Sequence, residues 1–295
     1  MVLSDHHIAI KNFVPCLAYI SRLPTLHATR ARLRKPHEIP CGIRAAGREI
    51  VQFCLSLKNV PGALGQVTSE FARHGVNILS GYISARPSEG LGYVAFFADI
   101  TDAAVGLEEL VSALRQLDMV VELEVHGAEV PGLMVNATHF PLLFMGQEVV
   151  IIDLRMVGHM FSRLDEVFGT GASVILYEMG MRAGKVIVEE IAECGIPEED
   201  VLKVLAALGV ARGWGITEIL SWNPKAAKLA LRIWENFECK PLAGKKKKPH
   251  SHFMRGLIAG IVSKLTGQPV KVREVKCLAK GDPYCEFVAE RVQHV

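Results

Sequence analysis

The chain has 295 residues, of which 50% are hydrophobic and 22% charged, which is enough apolar material for about two domain cores. A net charge of +2 gives no global field favouring nucleic acid or an acidic surface, and no apolar run approaches a membrane span. The cysteines (Cys16, Cys41, Cys54, Cys194, Cys239, Cys277 and Cys285) are odd in number and include no Cys-x-x-Cys pair. That pattern excludes a disulfide framework and points to a reducing, cytoplasmic setting.

Residues 1–47 hold Lys11, Arg22, Arg30, Arg32, Arg34, Lys35 and Arg44 against Asp5 and Glu38. Prolines and histidines break any long period, so a basic, poorly ordered extension is predicted. A transit peptide or an arm touching nucleic acid has the same composition, as would a chain whose true start lies further downstream.

Residues 48–129 alternate strand and helix patterns. Val51, Phe53, Leu55 and Leu57 alternate as a half-buried strand does. Asn59-Val-Pro-Gly62 turns the chain into a helix with Leu64, Val67 and Phe71 on its inner face, and Gly75 stands where its C-cap is expected. Val76–Ser84 is a second strand, and Pro87-Ser-Glu-Gly90 turns into a third carrying Val94, Phe96, Ala98 and Ile100. Asp102 is a suitable N-cap for a helix with the stripe Leu107, Leu110, Val111, Leu114 and Leu117, and Val121, Leu123 and Val125 form a last strand. The order βαββαβ predicts an α+β, ferredoxin-like domain.

Asn59-Val-Pro-Gly-Ala-Leu64 with Gly75-Val-Asn77-Ile78 resembles the ACT domain, a regulatory module that binds amino acids, over the full length of this unit. The resemblance implies an amino-acid-type site at Asn59, Gly62, Ala63, Asn77 and Ile78, and a homodimer that brings the Asn59 turn near the partner's Asn77. Asn59 and Asn77 match the two asparagines of serine-binding members. Leu57 departs from the polar histidine those members carry. An asparagine amide can donate to a carboxylate and accept from an ammonium, and backbone N–H groups opening a helix favour an anion. The competing reading is that both asparagines cap turns.

Pro131-Gly132 marks the junction to a second domain over 131–293. A strand is predicted over Glu148–Asp153, then a helix with Met156, Met160, Leu164 and Val167 on one face, and a longer one from about Ala172 to Cys194. Pro197 begins another helix. Trp214–Trp222 and Lys228–Phe237 form two antiparallel strands, and His250 to Leu265 is helical. Gly180 and Gly184 share a helix face, as do Gly256 and Gly260. They either leave room for an apolar pocket between the helices around Ile175–Gly184 and Met254–Ile261, or let those helices pack solidly. Lys245-Lys-Lys-Lys248 interrupts the strand-to-helix connection as a solvated loop.

The chain closes on Glu274-Val-Lys-Cys277-Leu-Ala-Lys-Gly281-Asp-Pro-Tyr-Cys285, a hairpin with two thiols at its mouth and a carboxylate upstream. Two buried structural cysteines would have the same spacing as a metal site. With His250-Ser-His-Phe-Met-Arg-Gly256 before it, this segment resembles the small-molecule-binding domain named after 4-vinyl reductases. The likeness extends upstream through Asn136-Ala-Thr-His-Phe, Gly146-Gln-Glu-Val, Leu176-Tyr-Glu-Met-Gly180, Trp214-Gly215 and Asn236-Phe-Glu. It implies an α/β fold like that of trafficking tether subunits and a hydrophobic ligand near Gly180, Gly184, Gly256 and Gly260. It also implies zinc held by Glu274, Cys277 and Cys285. The family's fourth ligand, a cysteine, aligns with Ser251, so His250, His252 or water is expected to complete the set. Residues three apart on a regular strand face opposite sides, so Glu274 and Cys277 converge only across a bulge.

No Gly-rich phosphate loop follows a strand, and no helix-turn-helix or catalytic constellation is evident. The expectation is a ligand-sensing regulatory protein with small-molecule ligands and no membrane or evident nucleic-acid partner. Alternatives are an enzyme or accessory factor in tetrapyrrole vinyl reduction, and a transcriptional regulator.

Overall fold

The computed structural model of the chain describes residues 36–292, so most of the basic extension lies outside them. The chain divides into two compact units at Val150/Ile151.

In the first unit the elements are β1 (Gly42–Arg44), β2 (Ile50–Lys58), α1 (Ala63–Arg73), β3 (Asn77–Ala85), β4 (Leu91–Asp99), α2 (Leu107–Arg115), β5 (Val120–Gly127), β6 (Leu133–Val135) and the two-residue strands β7 (Leu143–Phe144) and β8 (Gln147–Glu148). The main sheet has the order β3-β4-β2-β5, antiparallel throughout, which is the ferredoxin-like arrangement. Both helices cover one face. Val51, Phe53, Leu55 and Leu57 point into a core with Val67, Phe71, Leu110 and Leu114, and the Phe53 and Phe71 rings meet edge to face at 4.9 Å.

The other sheet face is covered too. β1 pairs with β6, and Ile43 and Met134 pack on Ile50 and Phe97. Gln52 Nε2 donates to Asn136 Oδ1 at 3.1 Å. Two expected boundaries therefore shift. Residues 42–44 of the expected extension are an ordered strand, and residues 131–150 belong with the first unit, because β2 is buried on both faces and needs a second cover.

The second unit holds α3 (Leu154–Phe168), α4 (Thr170–Glu193), α5 (Val201–Ala211), β9 (Ile216–Asn223), β10 (Lys228–Trp234), α6 (His252–Thr266), β11 (Val270–Lys276) and β12 (Cys285–Arg291). Its sheet runs β11-β12-β10-β9, again antiparallel. Three expectations change locally. Val149–Ile152 is exposed and pairs with no strand of either sheet among the described residues. Asp153 ends it by capping α3, accepting from Met156 N at 2.9 Å. Pro197 precedes a short 3-10 turn, Glu198–Asp200, and α5 begins only after it. β10 stops at Trp234, because Glu235 takes a left-handed φ of 56° and turns the chain toward Cys239.

Candidate metal centre and apolar cavity

Glu274, Cys277 and Cys285 meet at the mouth of the β11–β12 hairpin. The register slips between Glu274 and Lys276, the bulge their convergence requires. The fourth group is Cys239, from the turn after β10. One ligand atom from each of Cys239, Glu274, Cys277 and Cys285 lies within 4.8 Å of the others, all buried. Cys239 Sγ and Cys277 Sγ are 3.6 Å apart. Tetrahedral zinc with sulfur at about 2.3 Å spaces its ligands about 3.8 Å apart, so this three-sulfur, one-oxygen set fits zinc.

Backbone and neighbouring side chains orient the donors. Leu278 N donates to Cys285 Sγ at 3.3 Å and His250 N to Cys277 Sγ at 3.4 Å. Ser251, at the start of α6, donates its hydroxyl to Glu274 Oε1 at 2.6 Å and its N–H to Glu274 Oε2 at 3.0 Å. Ser251 Oγ also lies 3.0 Å from Cys239 Sγ, so Cys239 comes in beside the position that aligns with the family's cysteine. Asn236 Nδ2 donates to Ser251 Oγ and to Cys285 Sγ at 3.3 Å. Cys277, accepting from Cys239 and Cys285, is held well below the ordinary thiol value. Burial pushes Glu274 up to about 7, a shift that a bound cation would reverse.

His250 and His252 are directed elsewhere. His250 Nε2 lies 2.9 Å from Asp165 Oδ2, and His252 Nδ1 accepts from Arg255 at 2.8 Å. The strand end supplies Cys239 instead, close in space and remote in sequence. Glu238 beside it is buried and pushed up to about 8 by desolvation. Its carboxylate accepts from Phe253 N at 2.8 Å and Met254 N at 2.9 Å, closing the first turn of α6.

Against α6 lies an apolar cavity of about 70 Å3. Met254, Leu257, Ile258 and Ile261 of α6 form one wall. Leu202, Leu205, Ala206 and Gly209 of α5 form another, with Ile219, Leu229, Leu231 and Ile233 of the sheet and Trp214 beside them. Phe237 packs on Trp214 and Phe253, so the turn carrying Cys239 also touches this wall. The four expected glycines do not line the cavity. A Cβ on Gly180 would fall on the Phe253 carbonyl and 2.8 Å from Leu257 N. One on Gly256 would strike the Tyr177 carbonyl and lie 2.9 Å from Met181 N. Gly184 and Gly260 are likewise closed by backbone. These glycines bring α4 and α6 into backbone contact, and the cavity opens beside that contact, where Leu257 of α6 and Ile187 of α4 reach its wall.

In the first unit Asn59 Nδ2 donates to the carbonyls of Arg86 at 2.8 Å and Glu89 at 2.9 Å, tying down the β3–β4 turn. Gly62 takes φ 89° ahead of α1, which Ala63 opens without a side-chain cap. Asn77 is exposed and opens β3, with Ile78 half-buried beside it. The register places Lys58 opposite Leu91 and Asn77 opposite Asp99, at the two ends of the nine-residue β4. At about 3.3 Å per residue, Asn59 and Asn77 are about 26 Å apart within one chain. Leu57 is buried in the core.

Residues 54–118 match the family model of the ACT domain, and residues 229–291 match that of the 4-vinyl reductase domain. The chain carries an ACT domain followed by a 4-vinyl reductase domain. Two uncharacterized proteins of Methanocaldococcus jannaschii are similar to it, one 28% identical over 122 residues (41% of this chain), the other 39% identical over 69 residues (23%). The chain spans 66% and 29% of the length of these relatives.

Three solved structures are similar to parts of it. The phenol-responsive sensory domain of the transcription activator PoxR with phenol is 20% identical, with TM-score 0.45, covering 50% of this chain and 79% of its own. A trafficking protein particle complex subunit 3 from Naegleria fowleri covalently bound to palmitic acid is 16% identical, with TM-score 0.37 and coverages of 48% and 94%. A vinyl-4-reductase family protein from Methanocaldococcus jannaschii is 21% identical, with TM-score 0.36 and coverages of 50% and 85%. The 4-vinyl reductase match starts within β10 and contains all four candidate metal ligands. α4, α5 and β9, which complete the cavity, precede it. The ACT match contains both Asn59 and Asn77.

Proposed function

We propose that the chain is a ligand-responsive regulatory protein in which the 4-vinyl reductase domain binds an apolar small molecule beneath α6. The ACT domain binds an amino-acid-like effector. The observation that carries this reading is the cavity, whose walls are almost wholly aliphatic and are drawn from α5, α6 and the sheet. At about 70 Å3 it is smaller than the ~150 Å3 that admits benzene, so a ligand enters as side chains such as Met254 and the leucines change rotamer. Zinc at Cys239, Glu274, Cys277 and Cys285 would pin the β10 turn to the hairpin beside the start of α6, and a closed set of four ligands serves structure rather than water activation.

The separation of Asn59 from Asn77 supports an ACT site shared between two copies of the chain. β3 is an open sheet edge with Ile83 exposed, and pairing would satisfy it. Sedimentation at micromolar concentration should show a dimer, and a monomer there would refute the shared site. For the cavity, an environment-sensitive apolar dye should bind the purified protein. Ala206→Leu, which places extra carbons in the cavity, should remove that uptake while the protein stays folded. Equal uptake by both proteins would sink the reading.

A further inference from the structure

The cavity is apolar in all but a few atoms, and those few are together. Among the described residues that line it, only Arg212, Trp214 and Thr217 carry nitrogen or oxygen in their side chains. All three flank the last turn of α5. Trp214 N donates to the Gly209 carbonyl at 2.8 Å, folding the 209–215 loop back over the helix end. The Arg212 guanidinium lies over the Trp214 ring, 5.6 Å from its centre, and is half-buried. A Cβ on Gly209 would sit in ordinary contact with the Gly215 carbonyl at 3.6 Å and Thr217 Oγ1 at 3.9 Å, so the bare glycine leaves about one carbon's room beside the Thr217 hydroxyl.

We infer that Arg212 and Thr217 select ligands in which an apolar chain or ring ends in a carboxylate, with the apolar part in the cavity and the carboxylate at the α5 end. The inference rests on the cavity being the ligand site and adds the chemical class of what enters it. A plainer role for Arg212 is to complement the C-terminus of α5, which it caps. That role is satisfied by an arginine extended into water, whereas this one is turned inward onto an indole at a cavity wall.

The planar guanidinium offers five donors in a fork matched to a carboxylate. Five donors can serve two anions at once, so the opposing charge of nearby Glu190 is compatible with a ligand carboxylate on the cavity side. Burial pulls the Arg212 pKa down, and a ligand carboxylate on the cavity side would add a charge-assisted bond to those the guanidinium already makes. A ligand amine would meet the guanidinium as a like charge. A ligand alcohol would gain a hydrogen bond but no ion pair.

Calorimetric titration of the full chain with octanoate, octanol and octylamine, which share one alkyl skeleton, tests this. Octanoate should bind about tenfold or more tighter than octanol, and octylamine should bind weakest. Arg212→Gln should abolish the preference, lowering octanoate affinity far more than octanol affinity. Arg212→Lys, which keeps the charge and loses the fork, should retain part of it. Equal binding of octanoate and octanol, or a preference that survives in Arg212→Gln, overturns the inference while leaving the cavity as a ligand site. Failure of all three compounds to bind the wild-type protein overturns both.

Discussion

Single side chains decide what the 4-vinyl reductase domain can hold. Cys239 reaches the hairpin cysteines from 38 residues upstream of Cys277, while Asn236 donates to Cys285 Sγ and Ser251 to Glu274 Oε1. Cys239→Ser should lower bound zinc well below one per chain by elemental analysis and destabilise the domain by several kcal/mol, as losing a structural metal does. His250→Ala and His252→Ala should leave the metal content unchanged, since their rings engage Asp165 and Arg255.

In the ACT domain, Asp99 accepts from Thr101 N at 3.0 Å, Thr101 Oγ1 at 2.7 Å and Arg48 Nε at 2.7 Å. Partial burial pushes its pKa up, but these bonds outweigh it and hold the carboxyl below the ordinary value. A depressed carboxylate contributes stability above its unfolded pKa, near ~3.9, and loses it as pH falls through the folded value. Asp99→Asn should therefore lower the ACT-domain melting temperature at pH 7, and the gap to wild type should narrow as pH falls below the unfolded carboxyl value and through the lower folded one.

At the scale of elements, α4 and α6 touch through backbone. Gly180 and Gly184 admit the α6 carbonyls of Phe253 and Leu257, and Gly256 and Gly260 admit those of Tyr177 and Met181. A methyl at Gly256 has nowhere to go, since what it meets is backbone and cannot rotate aside. Gly256→Ala should destabilise the 4-vinyl reductase domain by about 3 kcal/mol in denaturant titration. Gly171→Ala on the same α4, exposed and with only Phe168 Cβ at 3.7 Å, should be neutral or stabilising by up to about 1 kcal/mol. That contrast distinguishes a close helix crossing from general intolerance of side chains on α4.

For the whole molecule, the two units have separate cores. One is built on Phe53, Phe71, Phe96, Leu110 and Leu114, the other on Leu229, Ile258, Val262 and Phe287, and they share no residue. Two thermal transitions are expected in calorimetry. If the proposed zinc is bound, a metal chelator should move only the transition of the 4-vinyl reductase domain, because ligand release lowers the stability of the unit that binds and no other. A shift of both transitions together would mean the units unfold as one.

The sequence alone determined what depends on near neighbours. Val51, Phe53, Leu55 and Leu57 show their strand by period, because one sheet face is filled by helices and each side chain alternates toward it. That Glu274, Cys277 and Cys285 could converge across a bulge was legible within twelve residues of chain, and the register slip bears out the bulge. The family resemblance supplied the domain types, which periodicity does not give.

Only the tertiary structure decided whatever depends on a distant partner. Cys239 carried no local sign of joining the cluster of Glu274, Cys277 and Cys285, although Asn236-Phe-Glu stands directly before it. Its role exists only once β10 lies beside β12 and its turn meets the start of α6. Gly180 and Gly256 look alike in sequence whether the space beside them is a cavity or another helix, since a missing Cβ does not record what fills its place. The approach of the α6 and α4 carbonyls settled that, and put the cavity on the face of α6 that looks toward α5 and the sheet.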